Sequence, residues 1–435
     1  VRERLERYFD FAAQRTNWRT EILAGLTTFV TMAYILFVNP SILAQTGMPF
    51  AAVMAATCIS AAVGSILMGA LANYPIALAP GMGLNAYFTY TVVKGMGVAW
   101  QTALAAVFCS GILFLLLTAT GIRQALLAAI PHPLHAAVGG GIGLFIAFLG
   151  FTNAGIIVPN PAHFLALGKL STPSTALALF GLVLMAILQV LRVRAFVLLG
   201  VLGSTLLGLL THQLHWDPQP FSFGAVRATA FHLDLRGLAH IGLLEIVFVF
   251  LFVDLFDNIG TLVAVTERAG LIGGDGAIPR LDRIFTADAL ASVVGSLAGT
   301  STVTSYIESA AGVEAGGRTG VTAITTGCLF LLAFFIAPVV GAIPTFATAP
   351  ALILVGALML SSLGKIEWQD PQVAIPAFLT LVVIPLSWSI ADGLSFGLLS
   401  YALIQLLTGR AQRKDWMLYL LAALFLARFC YLARS

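Results

Sequence analysis

Five side chains set the chemical question this chain poses. Asp254, Asp257, Asn258 and Thr261 lie within an apolar run from Leu243 to Ala269, and Glu308 lies within a second segment poor in charge. At about 100° per residue, positions 254, 257, 258 and 261 share one side of a helix and form a polar stripe. A charged residue at bilayer depth costs roughly 2.5–3.5 kcal/mol on insertion scales, so two on one helix are expected to face a polar chamber instead of lipid. An ionised carboxylate accepts two N–H donors; a protonated one donates one hydrogen bond and accepts another. Both patterns suit the edge of a planar nitrogen heterocycle, although spacing alone does not identify the ligand. Burial without a cation favours the neutral form of a carboxyl, and a second carboxylate nearby favours it further. Asp254, Asp257 and Glu308 are therefore the expected proton-coupling groups, which suits a proton-coupled carrier better than a sodium-coupled one. Tyr306 offers a ring or a hydroxyl two residues before Glu308. Backbone N–H groups near Met82 and Ile307 could complete a planar pocket. Glu245, Asp288, Glu314 and Asp392 fall nearer span ends; Glu314 is expected to pair with Arg318 one turn on, and Asp392 to cap a helix.

The elements that must position these groups are membrane spans. Of 435 residues, 59% are hydrophobic and 9% charged, against about 25% charged in an ordinary soluble domain. The 42 glycines suit closely packed membrane helices. A net charge of +3 without a basic, aromatic-interleaved patch excludes nucleic acid as an expected partner. The polar, Arg-rich first 20 residues lack the short apolar core of a cleavable signal. After a cytoplasmic lead-in over 1–21, apolar spans are expected at 22–45, 51–72, 76–93, 100–120, 134–152, 174–191 and 195–211. An extracytoplasmic loop over 212–237 separates them from 241–266, 285–298, 300–316, 320–340, 346–362, 373–390 and 392–408. A basic turn and an interfacial helix fill 409–435. With both termini cytoplasmic, 18 of the 22 basic residues fall inside, as the positive-inside rule requires.

Seven spans per half is an odd number, so two similar halves lie in opposite orientations, a transporter pattern with its site near the midplane. The third span of each half is irregular. YPIALAPGMGLNAYF carries Pro75, Pro80, Gly81 and Gly83, and GTSTVTSYIESAAG is rich in Ser and Thr. Both are expected to be short extended segments leading into half-helices. Unpaired backbone at that depth is tolerated only inside protein or along a cavity. The expected fold is thus an all-α polytopic membrane protein with fourteen spans in a seven-plus-seven inverted repeat.

The segments LTTFVTMAYILFVNPSIL, NYPIALAPGMGLNAYF, FVDLFDNIGTLVAVTERAGL and GTSTVTSYIESAAGVEAGGRTG resemble the signature segments of the AzgA-like purine permeases. These are a branch of the nucleobase–cation symporters related to uracil and xanthine permeases. The resemblance covers nearly the whole chain. It implies a core domain of spans 1–4 and 8–11 (22–120 and 238–340), and a gate domain of spans 5–7 and 12–14 (121–211 and 341–408) through which the protein dimerises. It also implies import of a purine nucleobase by proton symport across the bacterial inner membrane. A span-8 acid and a span-10 acid hold the base in related permeases, and here those positions fall on Asp257 and Glu308. The histidine one turn later in uracil permeases is replaced by Thr261. The span-3 backbone contact falls at Met82, with Gly81 beside it, and the first-span contact at Thr31 or Tyr34.

Other signals carry less. His132 with His135, and His212 with His215, share a spacing of three but sit without further ligands in loops or at span ends, so no metal is expected. Cys58, Cys109, Cys328 and Cys430 are far apart and read as packing residues. The glycines of 139–143 fit close helix packing. No nucleophile–base–acid set is present, so neither an enzyme nor a cofactor is expected. An anion carrier of the sulfate-permease kind, on the same architecture, is the alternative; it would favour a cation or neutral residue where Glu308 stands.

Overall fold

The computed structural model describes residues 2–120, 131–214, 223–239, 241–272, 278–336, 343–411 and 415–432. Arg123, Arg413, Lys414 and Arg434, used above to sort charge, and His215 of the second histidine pair, lie outside these residues. Apolar sequence without water leaves helix as the default backbone solution, and the described chain is mostly helical. In order come α1 (Arg2–Tyr8), α2 (Trp18–Met32), α3 (Ile35–Leu43), α4 (Phe50–Leu67), β1 (Leu78–Pro80), α5 (Met82–Ala86), α6 (Trp100–Thr120) and α7 (His132–Asn153). A hairpin of β2 (Ile157–Asn160) and β3 (Phe164–Leu167) precedes α8 (Pro173–Val190), α9 (Phe196–Leu210) and α10 (Phe223–Arg227). The remainder is α11 (Ile241–Ala269), α12 (Leu281–Ala298), β4 (Val303–Ser305), α13 (Ser309–Glu314), α14 (Gly320–Ile336), α15 (Thr345–Met359), α16 (Pro371–Ser387), α17 (Ile390–Leu407) and α18 (Trp416–Leu432). Among the described residues, eight helical stretches are long and apolar enough to cross a bilayer.

Packing divides the chain into two units, Val1–Leu116 with Leu149–Leu354, and Leu117–Phe148 with Val355–Ser435. The second holds the α16–α17 pair, with α18 along α17: Tyr419 donates to Gln405 Oε1 at 3.1 Å, and the rings of Phe396 and Phe429 are 5.7 Å apart. Ser389, not Asp392, caps α17, accepting from the Asp392 amide at 3.1 Å. Asp392 stands in the first turn, where its charge meets the positive end of the helix.

The first unit holds both irregular segments, and they pair. Antiparallel β1 and β4 match Leu78 with Ser305, Ala79 with Thr304 and Pro80 with Val303. The ladder is extended by Gly81 N to Thr302 O at 2.9 Å and Tyr306 N to Ala77 O at 3.1 Å. One serine serves each strand from the preceding helix. Ser65 on α4 accepts from Leu78 N at 2.9 Å and donates to Leu78 O at 3.1 Å. Ser292 on α12 accepts from Val303 N at 3.1 Å and donates to Val303 O at 2.9 Å. The arrangement is locally two-fold. The β2–β3 hairpin was not expected; that segment reads as loop because its strands lack apolar alternation, and Phe164 at the turn has φ of 62°.

A second anchor lies at the start of α2. Asn17 caps the helix, accepting from Thr20 N at 3.0 Å. Glu21 is fully buried and accepts from the amides of Arg318 (3.0 Å) and Thr319 (3.2 Å) and from the hydroxyls of Thr322 (2.6 Å) and Thr16 (2.8 Å). One carboxylate thus satisfies the free amides ahead of α14. Nearby, a Cβ on Gly320 would stand 2.1 Å from Gly69 O and one on Gly69 2.3 Å from Gly320 O. Only glycine at both positions lets these backbones meet.

Glu21→Ala strands four donors and is expected to lower stability by about 3 kcal/mol, since a hydrogen bond to a charged group contributes roughly 1.5–3 kcal/mol. Thermal unfolding in detergent should show a clear drop in midpoint, partly restored in Glu21→Gln; an unchanged midpoint in Glu21→Ala contradicts the anchor.

Candidate functional site

The chain breaks at β1 and β4 place two loop-to-helix junctions side by side, and the candidate residues gather there. Glu308 stands at the N-terminal boundary of α13. Tyr34, at the break between α2 and α3, is 1% exposed and donates its hydroxyl to Glu308 Oε1 at 2.5 Å. Asp257 comes from the middle of α11. Its Oδ2 lies 3.7 Å from where a Cβ on Gly81 would stand, so the carboxylate points at the start of α5. Asp257 and Glu308 are within electrostatic reach of each other. Among the described residues neither joins an ion pair.

The polar stripe of α11 splits into two pairs one turn apart. Asp254 and Asn258 are 2% and 0% exposed, whereas Asp257 and Thr261 are half-buried. The fully buried pair faces protein. Asn258 Oδ1 accepts from Ser305 Oγ at 2.7 Å, which fixes α11 on β4 and so sets the direction of Asp257 next to it. Asp254, expected as a proton-coupling group, is therefore enclosed, and Asp257 is the stripe acid with an open side.

The other expected residues fall as follows. Tyr306 is buried, and its hydroxyl is engaged by Pro80 O at 2.5 Å, so it ties the two junctions together instead of offering a free donor. Met82 opens α5 and is 6% exposed; Ile307 is 41% exposed beside Glu308. Thr31 is half-buried, with its hydroxyl on Thr28 O at 2.8 Å. Glu314 pairs with Arg268 at 3.3 Å rather than with Arg318. The Arg318 guanidinium instead donates to Val313 O (2.6 Å) and Gly317 O (2.7 Å), at and just beyond the end of α13. Cys58 is buried as expected of a packing residue, but Cys328 is exposed.

Several residues essential to this geometry were not anticipated. Ser65 and Ser292 sit in apolar spans where serine is unremarked. Buried Asn39 donates to Thr57 Oγ1 (2.7 Å) and Thr300 Oγ1 (3.0 Å), and the next residue, Ser301, donates to Asn85 Oδ1. The available signal was the Ser/Thr-rich run at 300–305, whose hydroxyls needed partners from elsewhere in the chain.

The sequence matches the Permease family (Xan_ur_permease) over residues 19–430. It is 50% identical over 430 residues to "Putative permease MJ0326" of Methanocaldococcus jannaschii, covering 99% of each chain. It is 44% identical to "Adenine permease AdeP" of Escherichia coli, covering 98% of this chain and 96% of that one. It is also 44% identical to "Guanine/hypoxanthine permease PbuG" of Bacillus subtilis, over 98% and 100%. Among solved structures, the transmembrane domain of the cyanobacterial bicarbonate transporter BicA superposes with a TM-score of 0.65 at 14% identity, over 88% of this chain and 97% of that one. Murine Slc26a9 superposes at 0.62 and 11%, over 89% and 68%. These two likenesses establish the fold.

Tyr306→Phe leaves the buried Pro80 carbonyl without its donor, at an expected cost of about 1–3 kcal/mol. A lower unfolding midpoint with an intact ligand-induced shift is expected; the reverse pattern would mean that the hydroxyl serves the ligand.

Proposed function

The chain belongs to the Permease family, an integral membrane transporter family, and from that premise we propose that it imports purine nucleobases such as adenine, guanine, hypoxanthine or xanthine by proton symport. The observation that carries this reading is that Asp257, aimed at the start of α5, and Glu308, at the head of α13, lie within electrostatic reach of each other with no ion-pair partner among the described residues. Relatives named as adenine and guanine/hypoxanthine permeases support the substrate class.

The bond from Tyr34 occupies Glu308 Oε1, which leaves Oε2 for the base. Ionised, that oxygen accepts a ring N–H or an exocyclic amine; protonated, it donates to a ring nitrogen. Asp257 takes the second contact on the same edge. Gly81, Met82 and Ile307 line the plane of the ring, and Thr31 and Thr261 lie one turn beyond Tyr34 and Asp257. Proton and base then share the same groups, so binding of one is linked to the protonation of the other. Asp257 and Glu308 carry the proton, with Asp254 behind them as an enclosed reserve.

Transport follows alternating access of a core (22–120 and 238–340) against a gate (121–211 and 341–408), in a fourteen-span inverted repeat that dimerises through the gate. The local two-fold about β1 and β4 supports the repeat. Charge sorting supports cytoplasmic termini, as in a bacterial inner-membrane protein. The likeness to BicA favours an anion carrier as the second reading, but two adjacent carboxyls repel an anion.

Glu308→Gln is expected to abolish radiolabelled purine uptake while the protein still folds, and wild-type uptake would count heavily against the site. Tyr34→Phe, which removes one hydrogen bond to a carboxylate worth roughly 1.5–3 kcal/mol, should weaken purine-induced thermal stabilisation about 10- to 100-fold in apparent affinity. A screen of nucleobases by thermal shift at several pH values orders the substrates, and stabilisation by sulfate or bicarbonate alone would favour the anion reading.

A further inference from the structure

The segment ahead of the first span is folded back on the protein, with its charge turned outward. Between α1 and α2 the chain reverses over residues 9–15, and Asp10 and Arg15 sit in the left-handed region at φ of 56° and 49°. A long side chain adopts that conformation only where its surroundings impose it. Two phenylalanines impose it here. Phe9 and Phe11 are each 6% exposed and pack on Val321, with Trp18 and Ile324 around them. The rings of Phe11 and Trp18 are 5.1 Å apart. Trp18 Nε1 donates to Glu6 Oε1 at 2.8 Å, and the Tyr8 hydroxyl donates to Ala70 O in the turn Met68–Ala72 that follows α4. α1 is thus held on the ends of α2, α4 and α14, all within one packing unit.

Two of the acids in this region are engaged, and the arginines are not. Glu6 accepts from Arg2 Nε at 2.9 Å as well as from Trp18, and Glu21 is buried on the donors ahead of α14. Arg4, Arg7, Arg15 and Arg19 are exposed, and among the described residues none of the four joins an ion pair. Glu3 and Asp10 are the exposed acids beside them. The start of α12 borders the same patch. Tyr74 donates to Pro279 O at 2.8 Å, and the Arg280 guanidinium lies 5.4 Å from the Tyr74 ring, four residues on from the carbonyl that Tyr8 holds.

α2 shows how deep this patch lies. Arg19 stands three, four and seven residues before Ile22, Leu23 and Leu26, so all four share one helix face. The three apolar side chains are 48%, 50% and 44% exposed, as lipid-facing residues of a span are. Arg19 heads their stripe, which places it at headgroup level with α1 folded back beside it. On α1, Arg7, Arg4, Tyr8 and Leu5 follow one another around roughly 160° of the helix. Leu5 and Tyr8 are 39% and 56% exposed. Arginines interleaved with apolar side chains at the edge of a bilayer suit a helix lying in the interface.

We propose that this face docks anionic phospholipid: phosphates lie along Arg4, Arg7, Arg15 and Arg19, while Leu5 and the Tyr8 ring meet the acyl boundary. Guanidinium groups match phosphate oxygens bidentately. Bound lipid then holds the lead-in down on α14 and on the end of α4. The surface involves neither Asp257 nor Glu308, so it stands whether or not the purine reading holds.

The test is a fluorescent reporter on the turn. Ala13 is exposed, and Ala13→Cys, with Cys58, Cys109, Cys328 and Cys430 replaced by alanine or serine, carries an environment-sensitive dye. The full chain is placed in nanodiscs of phosphatidylcholine with increasing phosphatidylglycerol, both leaflets alike, so the outcome does not depend on topology. Emission is expected to shift to shorter wavelength as phosphatidylglycerol rises, and to return in about 1 M salt, where screening acts within roughly 3 Å. Each basic side chain near an anionic surface strengthens attachment about fivefold. Arg4→Gln with Arg7→Gln should therefore raise the phosphatidylglycerol fraction at half-shift at least fivefold, and lysine at both positions should restore most of the response. The glutamine pair should keep the wild-type unfolding midpoint in pure phosphatidylcholine, because neither arginine holds the fold. A reporter that does not respond to phosphatidylglycerol, or a glutamine pair that responds as wild type does, overturns the proposal. An equal shift with inorganic phosphate in pure phosphatidylcholine also overturns it, in favour of a site for free anions.

Discussion

A backbone that leaves the helix inside a bilayer must find partners for its amides and carbonyls, because nothing in the hydrocarbon will supply them. Here the chain leaves the helix twice, at 78–80 and 303–305, and each excursion is the answer to the other. The two strands pair in antiparallel register, and Ser65 and Ser292 each satisfy both backbone groups of one strand residue. Neither excursion is stable alone. Together they bring two helix starts, α5 and α13, to one level of the membrane.

That shared level determines the chemistry. Once β4 is fixed, Asn258 is tied to it through Ser305, and the residue before Asn258 on the same turn of α11 is Asp257. Once α13 starts after β4, Glu308 stands at its head, within reach of the hydroxyl at the break between α2 and α3. Residues from three distant parts of the sequence are thus placed by the backbone pairing and by the side-chain bonds that tie α11 and Tyr34 to it. The scaffold holds the two acids within electrostatic reach of each other against their mutual repulsion.

The sequence carried a good share of this. The two irregular segments were readable because Pro75, Pro80, Gly81 and the Ser/Thr run at 300–305 are incompatible with uninterrupted apolar helix. Asp257 and Glu308 stood out because charge at that depth is rare. What could not be read was partnership. Helical spacing put Asp254, Asp257, Asn258 and Thr261 on one side, but periodicity cannot tell which half of a stripe meets protein and which meets open space. Sequence proximity suggested Arg318 for Glu314, whereas the longer reach of Arg268 from α11 won, because Arg318 is engaged by the carbonyls that end α13. Glu21 gave no sign of its role: at the edge of a polar lead-in it reads as one more surface acid, and its four donors lie almost 300 residues away or on the preceding turn.

The same division between scaffold and side chain accounts for how one fold appears with very different sequences. The β1–β4 ladder is built from backbone groups, which every residue except proline supplies in full. The pairing therefore places few demands on residue type, apart from small residues where backbones meet and a hydroxyl at each supporting serine. A likeness to the BicA transmembrane domain at 14% identity is what such a frame permits. On the proposed reading, cargo is a separate matter, decided by the side chains beside the two helix starts. On that reading, carboxyls at 257 and 308 favour N–H groups and protons and oppose negative charge. A cation or neutral donor at 308 on the same frame would leave those backbone amides facing an anion instead. The backbone frame itself fixes no sign of charge, and on the proposed reading Glu308 at the head of α13 and Asp257 in the middle of α11 supply the preference.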